Sequence, residues 1–329
     1  MSGRTVTRTV SRPDGVELSV TEAGPADGPP VILAHGFPEL AYSWRHQIPA
    51  LAAAGYHVLA PDQRGYGRST QPADVEAYDI VHLTDDLVAL IDDTGREKAA
   101  VIGHDWGSMV VWGLAQRAPE RVAGVVGMSV PFIPRGDHPP TAAMRHLLGD
   151  AFFYMLYFQE PGVADADLAA DPERTMRGML LGMSPEARES VDPMAMFAAD
   201  GRGFVERLPQ VTEVPGWITE DEVQHYVAEF RRTGFTGGIS WYRNLDRNWE
   251  LMEPHAGRKV EPPARFVGGA LDPVLMMTPP AVQDGWLADD RGTVIVPDAG
   301  HWVQQEKPGE VNEALLSFVR AVHEPKGSH

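Results

Sequence analysis

A carboxylate occupies the centre of the pentapeptide Gly103-His104-Asp105-Trp106-Gly107, which follows an apolar segment and precedes a helical pattern. In the related Gly-x-Ser-x-Gly pattern, the central residue is a nucleophile held on a sharp strand-to-helix turn, and the glycines allow close backbone packing. Here Asp105 replaces the serine. The alternative interpretation is that Asp105 only caps the following helix, because aspartate is a common N-cap residue. The pentapeptide alone supports both interpretations.

An aspartate nucleophile favours a particular class of substrate. A carboxylate that attacks an sp³ carbon forms an ester, which activated water hydrolyses at the carboxyl carbon, whereas a serine would form a stable ether. Asp105 therefore favours epoxides or alkyl halides over carboxylic esters as substrates. The backbone N–H of Trp106, at the N-terminus of the predicted helix, would face the reacting centre.

Two later segments supply an acid and a base in the expected chain order of nucleophile, acid and base. Asp272 follows the apolar segment 264–268, and His301 follows the apolar segment 293–296. Histidine can take a proton from water at neutral pH, and a carboxylate orients its ring. Asp298 is the rival for the acid, but it lies on the same loop as His301. We therefore predict that His301 is the general base and that Asp272 orients it.

A second oxyanion-hole donor is expected in the loop that follows an earlier strand. The segment His35-Gly36-Phe37-Pro38-Glu39 follows the apolar run that ends at Ala34. Phe37 keeps its backbone N–H, whereas Pro38 has none to donate. We therefore predict an oxyanion hole formed by the backbone N–H groups of Phe37 and Trp106.

The apolar runs predict the class of fold that brings these residues together. Strands that alternate with helices imply parallel strands joined by crossover helices. Alternating polar and apolar residues over 4–24, around Pro13-Asp14-Gly15, predict an antiparallel hairpin before them. We therefore predict an α/β fold with a mostly parallel sheet flanked by helices. Its strands are predicted at 31–34, 57–60, 99–103, 122–128, 264–268 and 293–296, and its helices near 41–54, 79–93, 107–118 and 309–323.

Residues 132–257 interrupt this pattern. They are rich in Met, Phe and Tyr, have helical spacing and contain no convincing strand signal. The simplest interpretation is that one α/β core, formed by 1–131 and 258–329, carries a mostly helical insertion. The final Gly327-Ser328-His329 is typical of the stub of a purification tag and is left out of this prediction.

The composition excludes several other classes of protein. The formal net charge of −18 disfavours binding to nucleic acid, because a negative surface repels phosphate backbones. The chain contains no cysteine, which excludes disulfides and cysteine-ligated metal sites. It contains no apolar run long enough to span a membrane, and its N-terminal residues lack an apolar signal core. We therefore expect a cytoplasmic location.

Six motifs distributed along the chain carry a family resemblance. They are His35-Gly36-Phe37-Pro38-Glu39, Asp62-Gln63-Arg64-Gly65-Tyr66-Gly67-Arg68-Ser69, Gly103-His104-Asp105-Trp106-Gly107, Gly300-His301-Trp302, Phe153-Tyr154-Met155-Leu156-Tyr157-Phe158-Gln159-Glu160-Pro161-Gly162 and Ile239-Ser240-Trp241-Tyr242-Arg243-Asn244. The chain resembles the soluble epoxide hydrolases of the α/β-hydrolase superfamily over nearly its whole length. The pentapeptide around Asp105, the loop around Phe37 and the motif that contains His301 are shared with related dehalogenases. The last two motifs, which lie in the insertion, are more specific to epoxide hydrolases.

The resemblance implies that the insertion is a helical cap over the active site and that two cap tyrosines, Tyr154 and Tyr242, activate the epoxide oxygen. A phenol is neutral at pH 7 and can therefore donate a hydrogen bond to the developing alkoxide. Tyr157 lies one turn from Tyr154 and is the rival for its role. We predict a substrate pocket lined by Phe37, Pro38, Trp106, Tyr157 and Trp302.

The predicted reaction is the two-step hydrolysis of an epoxide to a vicinal diol. Asp105 attacks an epoxide carbon to form a hydroxyalkyl ester, and water activated by His301 hydrolyses that ester. We expect a small-molecule epoxide substrate, no metal and no cofactor, and we leave open whether the chain forms a homo-oligomer. Two alternatives stand beside this one: a haloalkane dehalogenase with the same nucleophile, and a catalytically silent binding protein of the α/β-hydrolase fold.

Overall fold

The apolar runs form one eight-stranded sheet in the computed structural model, which describes residues 5–190 and 195–323. The strands are β1 (Val6–Ser11), β2 (Glu17–Ala23), β3 (Pro30–Ala34), β4 (His57–Pro61), β5 (Ala99–His104), β6 (Val122–Met128), β7 (Val260–Gly269) and β8 (Leu287–Val296). They lie in the order β1-β2-β4-β3-β5-β6-β7-β8. β2 pairs antiparallel with β1 and β4, and the other neighbours are parallel. The predicted α/β fold and N-terminal hairpin are confirmed.

The described part of the chain contains fourteen α-helices. They are α1 (Gln47–Ala53), α2 (Ile80–Asp93), α3 (Trp106–Arg117), α4 (Pro140–Leu148), α5 (Tyr154–Tyr157), α6 (Val163–Ala170), α7 (Pro172–Leu180), α8 (Phe204–Arg207), α9 (Glu220–Thr233), α10 (Thr236–Arg243), α11 (Leu245–Leu251), α12 (Pro273–Met277), α13 (Val303–Glu306) and α14 (Pro308–His323). Side chains of α1 and α14 share one apolar cluster with the sheet, and those of α2 and α3 share a second. The central strands β3, β4 and β5 are therefore buried on both faces, which explains their continuous apolar sequence.

The loops that follow four of the parallel strands meet at one edge of the sheet. Ala34, at the end of β3, is in register with Gly103 of β5. Gly269, at the end of β7, is in register with Val296 of β8. The segments after these four strands therefore emerge on the same side, where ligands bind in parallel sheets.

The helix predicted near 41–54 is divided in two. A 3₁₀ turn covers Ala41–Trp44, and α1 begins at Gln47. Pro49 has no N–H to bond the carbonyl four residues earlier, so a regular helix cannot run through it from Ala41. Within the first turn of α1 the same proline is tolerated, because the N–H groups there have no partner in the helix.

Strands β7 and β8 begin earlier than the apolar runs predicted. β7 begins at Val260 and includes Pro262 and Pro263, and β8 begins at Leu287 and includes charged residues. β8 lies at the edge of the sheet, where half of its residues face solvent. An edge strand tolerates charged side chains, so an apolar run marks only part of it.

Helices α4 to α11 all lie between β6 and β7 in the chain, and the described residues of this stretch contain no strand. The division of the chain at 132 and 257 stays a prediction. The suggested tag residues 327–329 lie outside the described part of the chain. Among the helices that are described, none combines the length and the hydrophobicity needed to cross a membrane.

Candidate active site

Asp105 lies at a sharp turn between β5 and α3. Its backbone φ of 53° is in the left-handed region, which residues other than glycine rarely adopt. Backbone strain of this kind is concentrated at functional sites. A Cβ atom on Gly103 would approach the Gly107 carbonyl oxygen to 2.1 Å, and one on Gly107 would approach the Ala34 carbonyl oxygen to 2.0 Å. Both glycines are therefore required by the close backbone approach. The Asp105 side chain makes no capping hydrogen bond in α3, so the geometry does not support the capping interpretation.

The Asp105 carboxylate instead faces the predicted oxyanion donors. The Phe37 N–H donates to Asp105 Oδ1 at 2.8 Å, and the nearby Trp106 N–H lowers the pKa of the same carboxyl group. A Cβ atom on Gly36 would lie 2.5 Å from Asp105 Oδ1, so only glycine allows the loop to come this close. Burial raises the pKa of Asp105, although His301 and the two N–H groups oppose that shift.

His301 lies between two carboxylates. Its Nδ1 is 3.1 Å from both carboxylate oxygens of Asp272, and its Nε2 is 3.7 Å from Asp105 Oδ2. Asp272 is buried and also accepts the Val274 N–H at 2.9 Å, which fixes the carboxylate at the start of α12. The rival acid, Asp298, is exposed. The geometry therefore pairs His301 with Asp272.

The two carboxylates control the charge of His301. Burial by itself lowers the pKa of this imidazole, but the charges of Asp272 and Asp105 and the hydrogen bond to Asp272 raise it to about 9. At neutral pH the ring is therefore an imidazolium while Asp105 is ionised. A base can form here only when one of the neighbouring negative charges is removed.

Glu39 and His104 form a buried pair that supports this centre. The sequence indicated a supporting position for His104 but not its pairing with Glu39. Glu39 Oε2 lies 2.6 Å from His104 Nδ1 and accepts the Gly36 N–H at 3.1 Å. His104 Nε2 lies 2.8 Å from the carbonyl oxygen of His301. Burial by itself raises the pKa of Glu39, but the charge and hydrogen bond of His104 lower it to about 2. The pair therefore connects the loop of Phe37 to the backbone of His301.

Glu306 is a second carboxyl group that we did not assign from the sequence. It accepts the N–H groups of Gly300 and Trp302, the two neighbours of His301 in the chain. Burial raises the pKa of Glu306 to about 7, although these two N–H groups and the His301 charge oppose the shift. Glu39 and Glu306 lie in or next to segments that contain predicted site residues. A short sequence motif does not show, however, that a carboxylate points into the protein.

Tyr154 and Tyr242 come together beside the oxyanion donors. Their ring centroids are 5.8 Å apart in an edge-to-face arrangement. The Tyr242 ring also lies 5.4 Å from the ring of Phe37 and 5.0 Å from that of Trp106. Burial, with the negative charge of Asp105, raises the pKa of both phenols above their ordinary value. Both tyrosines are therefore protonated and able to donate at neutral pH.

The structure also shows the surroundings of the other residues predicted to line the pocket. The Tyr157 hydroxyl donates to Asp167 at 3.1 Å, and burial together with this carboxylate raises its pKa to about 12. Of the two neighbouring tyrosines in α5, the contacts with Tyr242 therefore favour Tyr154. Pro38 is buried. Trp302 is fully buried against the His301 ring, with centroids 4.6 Å apart, and its indole N–H donates to the Leu180 carbonyl.

Comparison with known proteins agrees with this geometry. Residues 29–308 match a family model described as the alpha/beta hydrolase fold. The chain is 55% identical over 306 residues to epoxide hydrolase A of Mycobacterium tuberculosis, covering 93% of this chain and 95% of that protein.

Solved structures give the same result. The crystal structure of epoxide hydrolase A from Mycobacterium thermoresistibile superimposes with a TM-score of 0.90 at 55% identity, over 96% of this chain and 98% of that one. An epoxide hydrolase from an endophytic Streptomyces gives a TM-score of 0.91 at 39% identity, over 97% and 96% of the two chains. This chain therefore belongs to the epoxide hydrolase family within the α/β-hydrolase fold.

Proposed function

We propose that this protein hydrolyses epoxides to vicinal diols through a covalent ester on Asp105. The observation that carries the proposal is the position of the Asp105 carboxylate between the Phe37 N–H, at Oδ1, and His301 Nε2, near Oδ2. In the first step, Asp105 attacks the less hindered epoxide carbon and the carbon–oxygen bond of the ring breaks. The electron pair of that bond moves to the ring oxygen, which becomes an alkoxide.

Tyr154 and Tyr242 stabilise this alkoxide. An alkoxide is a poor leaving group unless a proton donor meets the developing charge. Both phenols are protonated at neutral pH, the Tyr242 ring contacts Trp106 next to Asp105, and the Tyr154 ring contacts Tyr242, which supports the assignment. One phenol transfers its proton to the oxygen, which gives the hydroxyl group of the hydroxyalkyl ester.

The second step uses His301. Ester formation removes the negative charge of Asp105, so the pKa of His301 falls, and its proton is released to the tyrosinate left by the first step. The neutral imidazole, oriented by Asp272, then takes a proton from a water molecule that attacks the Asp105 carboxyl carbon. The tetrahedral oxyanion is held by the N–H groups of Phe37 and Trp106, and its collapse releases the diol as the imidazolium returns a proton.

We further propose that residues 132–257 form a cap. The helices α5 and α10, which carry the two tyrosines, both belong to this insertion. The Tyr242 ring lies beside Phe37 and Trp106 of the core, and the Tyr154 ring packs against Tyr242. A cytoplasmic location is also proposed, with which a chain without cysteine is compatible.

The main alternative is a haloalkane dehalogenase with the same nucleophile. It would need donors for a halide ion rather than for an alkoxide. The paired phenols Tyr154 and Tyr242, together with the named relatives, favour the epoxide. A catalytically silent binding protein is disfavoured by the complete contacts among Asp105, His301 and Asp272.

The proposal is tested by two product assays on the same preparation. Terminal, aryl and fatty-acid epoxides are assayed for diol by chiral chromatography, and haloalkanes are assayed for halide release. We expect diol from the wild-type protein and none from Asp105→Ala, with the unfolding midpoint of the variant close to that of wild type. Halide release without diol formation would favour the dehalogenase, and diol formation by Asp105→Ala would refute the nucleophile.

A further inference from the structure

The two tyrosines that meet the ring oxygen belong to separate elements. Tyr154 begins α5, which is only four residues long, and Tyr242 lies near the end of α10. A helix of one turn is not stable by itself, so its orientation depends on contacts with its surroundings. The Tyr154 ring packs against Phe158 and Phe204, and residues that join α5 to α10 hold its backbone relative to that of Tyr242.

Gln159 makes one such connection. Its side-chain amide Nε2 donates to the Met155 carbonyl in α5 at 2.8 Å and to the Tyr242 carbonyl in α10 at 2.9 Å. One amide group therefore bonds the backbone of both tyrosine elements, and one of its two acceptors belongs to Tyr242 itself.

Arg243, the residue after Tyr242, makes the reciprocal connection. Its Nε donates to the Phe158 carbonyl at 3.1 Å, and its Nη2 donates to the Glu160 carbonyl at 3.3 Å. The guanidinium also forms an ion pair with Asp165, and its side chain is only 6% exposed. The rigid, planar guanidinium of Arg243 therefore contacts three partners and fixes the segment that follows α5 against the end of α10.

We propose that Gln159, Arg243 and Asp165 form a clamp that sets the spacing of the Tyr154 and Tyr242 hydroxyls. Gln159 and Arg243 are then positioning residues for ring opening, because they bind backbone carbonyls rather than the substrate. The inference rests on the proposed epoxide hydrolysis, in which both phenols must reach one oxygen atom. The clamp also gives a role to Gln159 and Arg243, which belong to the two insertion motifs but take no direct part in the proposed reaction.

The first test replaces Gln159 by methionine, which has a similar length and no donor. We expect Gln159→Met to slow formation of the Asp105 ester by about 10- to 100-fold, since a displacement of about 1 Å can cost a factor of this size. Hydrolysis of the ester, which depends on His301, keeps its wild-type rate. Both steps are followed by quenched-flow mass spectrometry with terminal epoxides.

The matched control is Gln224→Met in the same insertion. The Gln224 amide also donates two hydrogen bonds, to Glu173 and Glu220, which lie away from the tyrosine elements in the chain. We expect this control to form the ester at the wild-type rate. Equal slowing by both variants would overturn the clamp, as would an unchanged rate in Gln159→Met.

A double-mutant cycle separates positioning from general stabilisation. In a Tyr242→Phe background there is one phenol left to position, so Gln159→Met then costs much less than it does in the wild type. An equal loss in both backgrounds would refute the clamp. If Gln159→Met does not unfold cooperatively, Arg243→Lys is judged by the same criteria. Lysine keeps the positive charge opposite Asp165 but lacks the planar guanidinium that contacts the two carbonyls. Failure of the wild-type protein to form any ester would refute the proposed function instead.

Discussion

The Nε2 atom of His301 lies 3.7 Å from Oδ2 of Asp105, close enough for each group to control the charge of the other. While Asp105 is a carboxylate, it helps to keep His301 protonated. In the proposed mechanism Asp105 becomes an ester, that charge is lost, and the imidazole becomes a better base. The group proposed as the nucleophile thereby activates the hydrolysis of its own ester.

Replacement of His301 by glutamine separates the two steps. The His301→Gln variant keeps Asp105 and the tyrosines, so ester formation continues, but no base is left to activate water. We expect ester hydrolysis to slow by at least about 100-fold, the lower range for loss of a general base. Intact-mass measurement after exposure to an epoxide should show the protein plus the mass of the substrate. An unmodified mass together with sustained turnover would contradict this assignment.

The pH dependence of the two enzyme states should differ. In the free enzyme the pKa of His301 is about 9, because Asp272 and Asp105 outweigh the effect of burial. In the ester the Asp105 charge is absent, so the pKa falls and hydrolysis of the ester accelerates with rising pH to a plateau reached below pH 9. Imidazole NMR titration gives the first value and single-turnover ester decay gives the second. Identical values in both states would contradict the coupling.

Glu39→Gln should destabilise the protein and slow the reaction. Besides the Gly36 N–H and His104, Glu39 accepts the side-chain amides of Gln304 and Gln305, each at 3.0 Å. A glutamine supplies one acceptor oxygen for these donors, so at least one buried donor loses its partner. We expect a loss of about 1–3 kcal/mol in the free energy of unfolding, measured in urea. The control is Glu120→Gln, at an exposed position, and equal stabilities of both variants would refute the support role.

Glu306→Gln should change how stability depends on pH. The pKa of this group is raised by burial from its usual 4.5 to about 7, so between these values the folded state holds a proton that the unfolded state has lost. The free energy of unfolding therefore falls as pH rises through this window, by about 1–3 kcal/mol. His301 and Glu186 are the charged groups near it. The glutamine variant lacks this slope, whereas Glu313→Gln, at an exposed position, keeps it. A slope that persists in Glu306→Gln would assign the titration to another group.

The strands could be predicted from local sequence, because buried parallel strands have continuous apolar runs. The same reasoning selected Asp105, Asp272 and His301 at strand ends, and the structure brings these three side chains together. Their nearest buried partners could not be predicted. Glu39 and His104 are 65 positions apart in the chain, and only the fold brings them together. The tyrosine pair came from family resemblance alone, since no periodicity indicates that α5 lies against α10. The early start of β8 could not be predicted because its first residues, which include Asp289, Asp290 and Arg291, have the charged composition of a loop.

In the proposed mechanism, the oxygen added to the epoxide carbon comes from Asp105 rather than directly from water. A single turnover in H₂¹⁸O, with enzyme in excess over the epoxide, tests it by mass spectrometry of the diol and of the peptide that contains Asp105. We predict an unlabelled diol and ¹⁸O in the Asp105 carboxylate. An ¹⁸O-labelled diol with an unlabelled Asp105 peptide would show direct attack by water and contradict the ester mechanism.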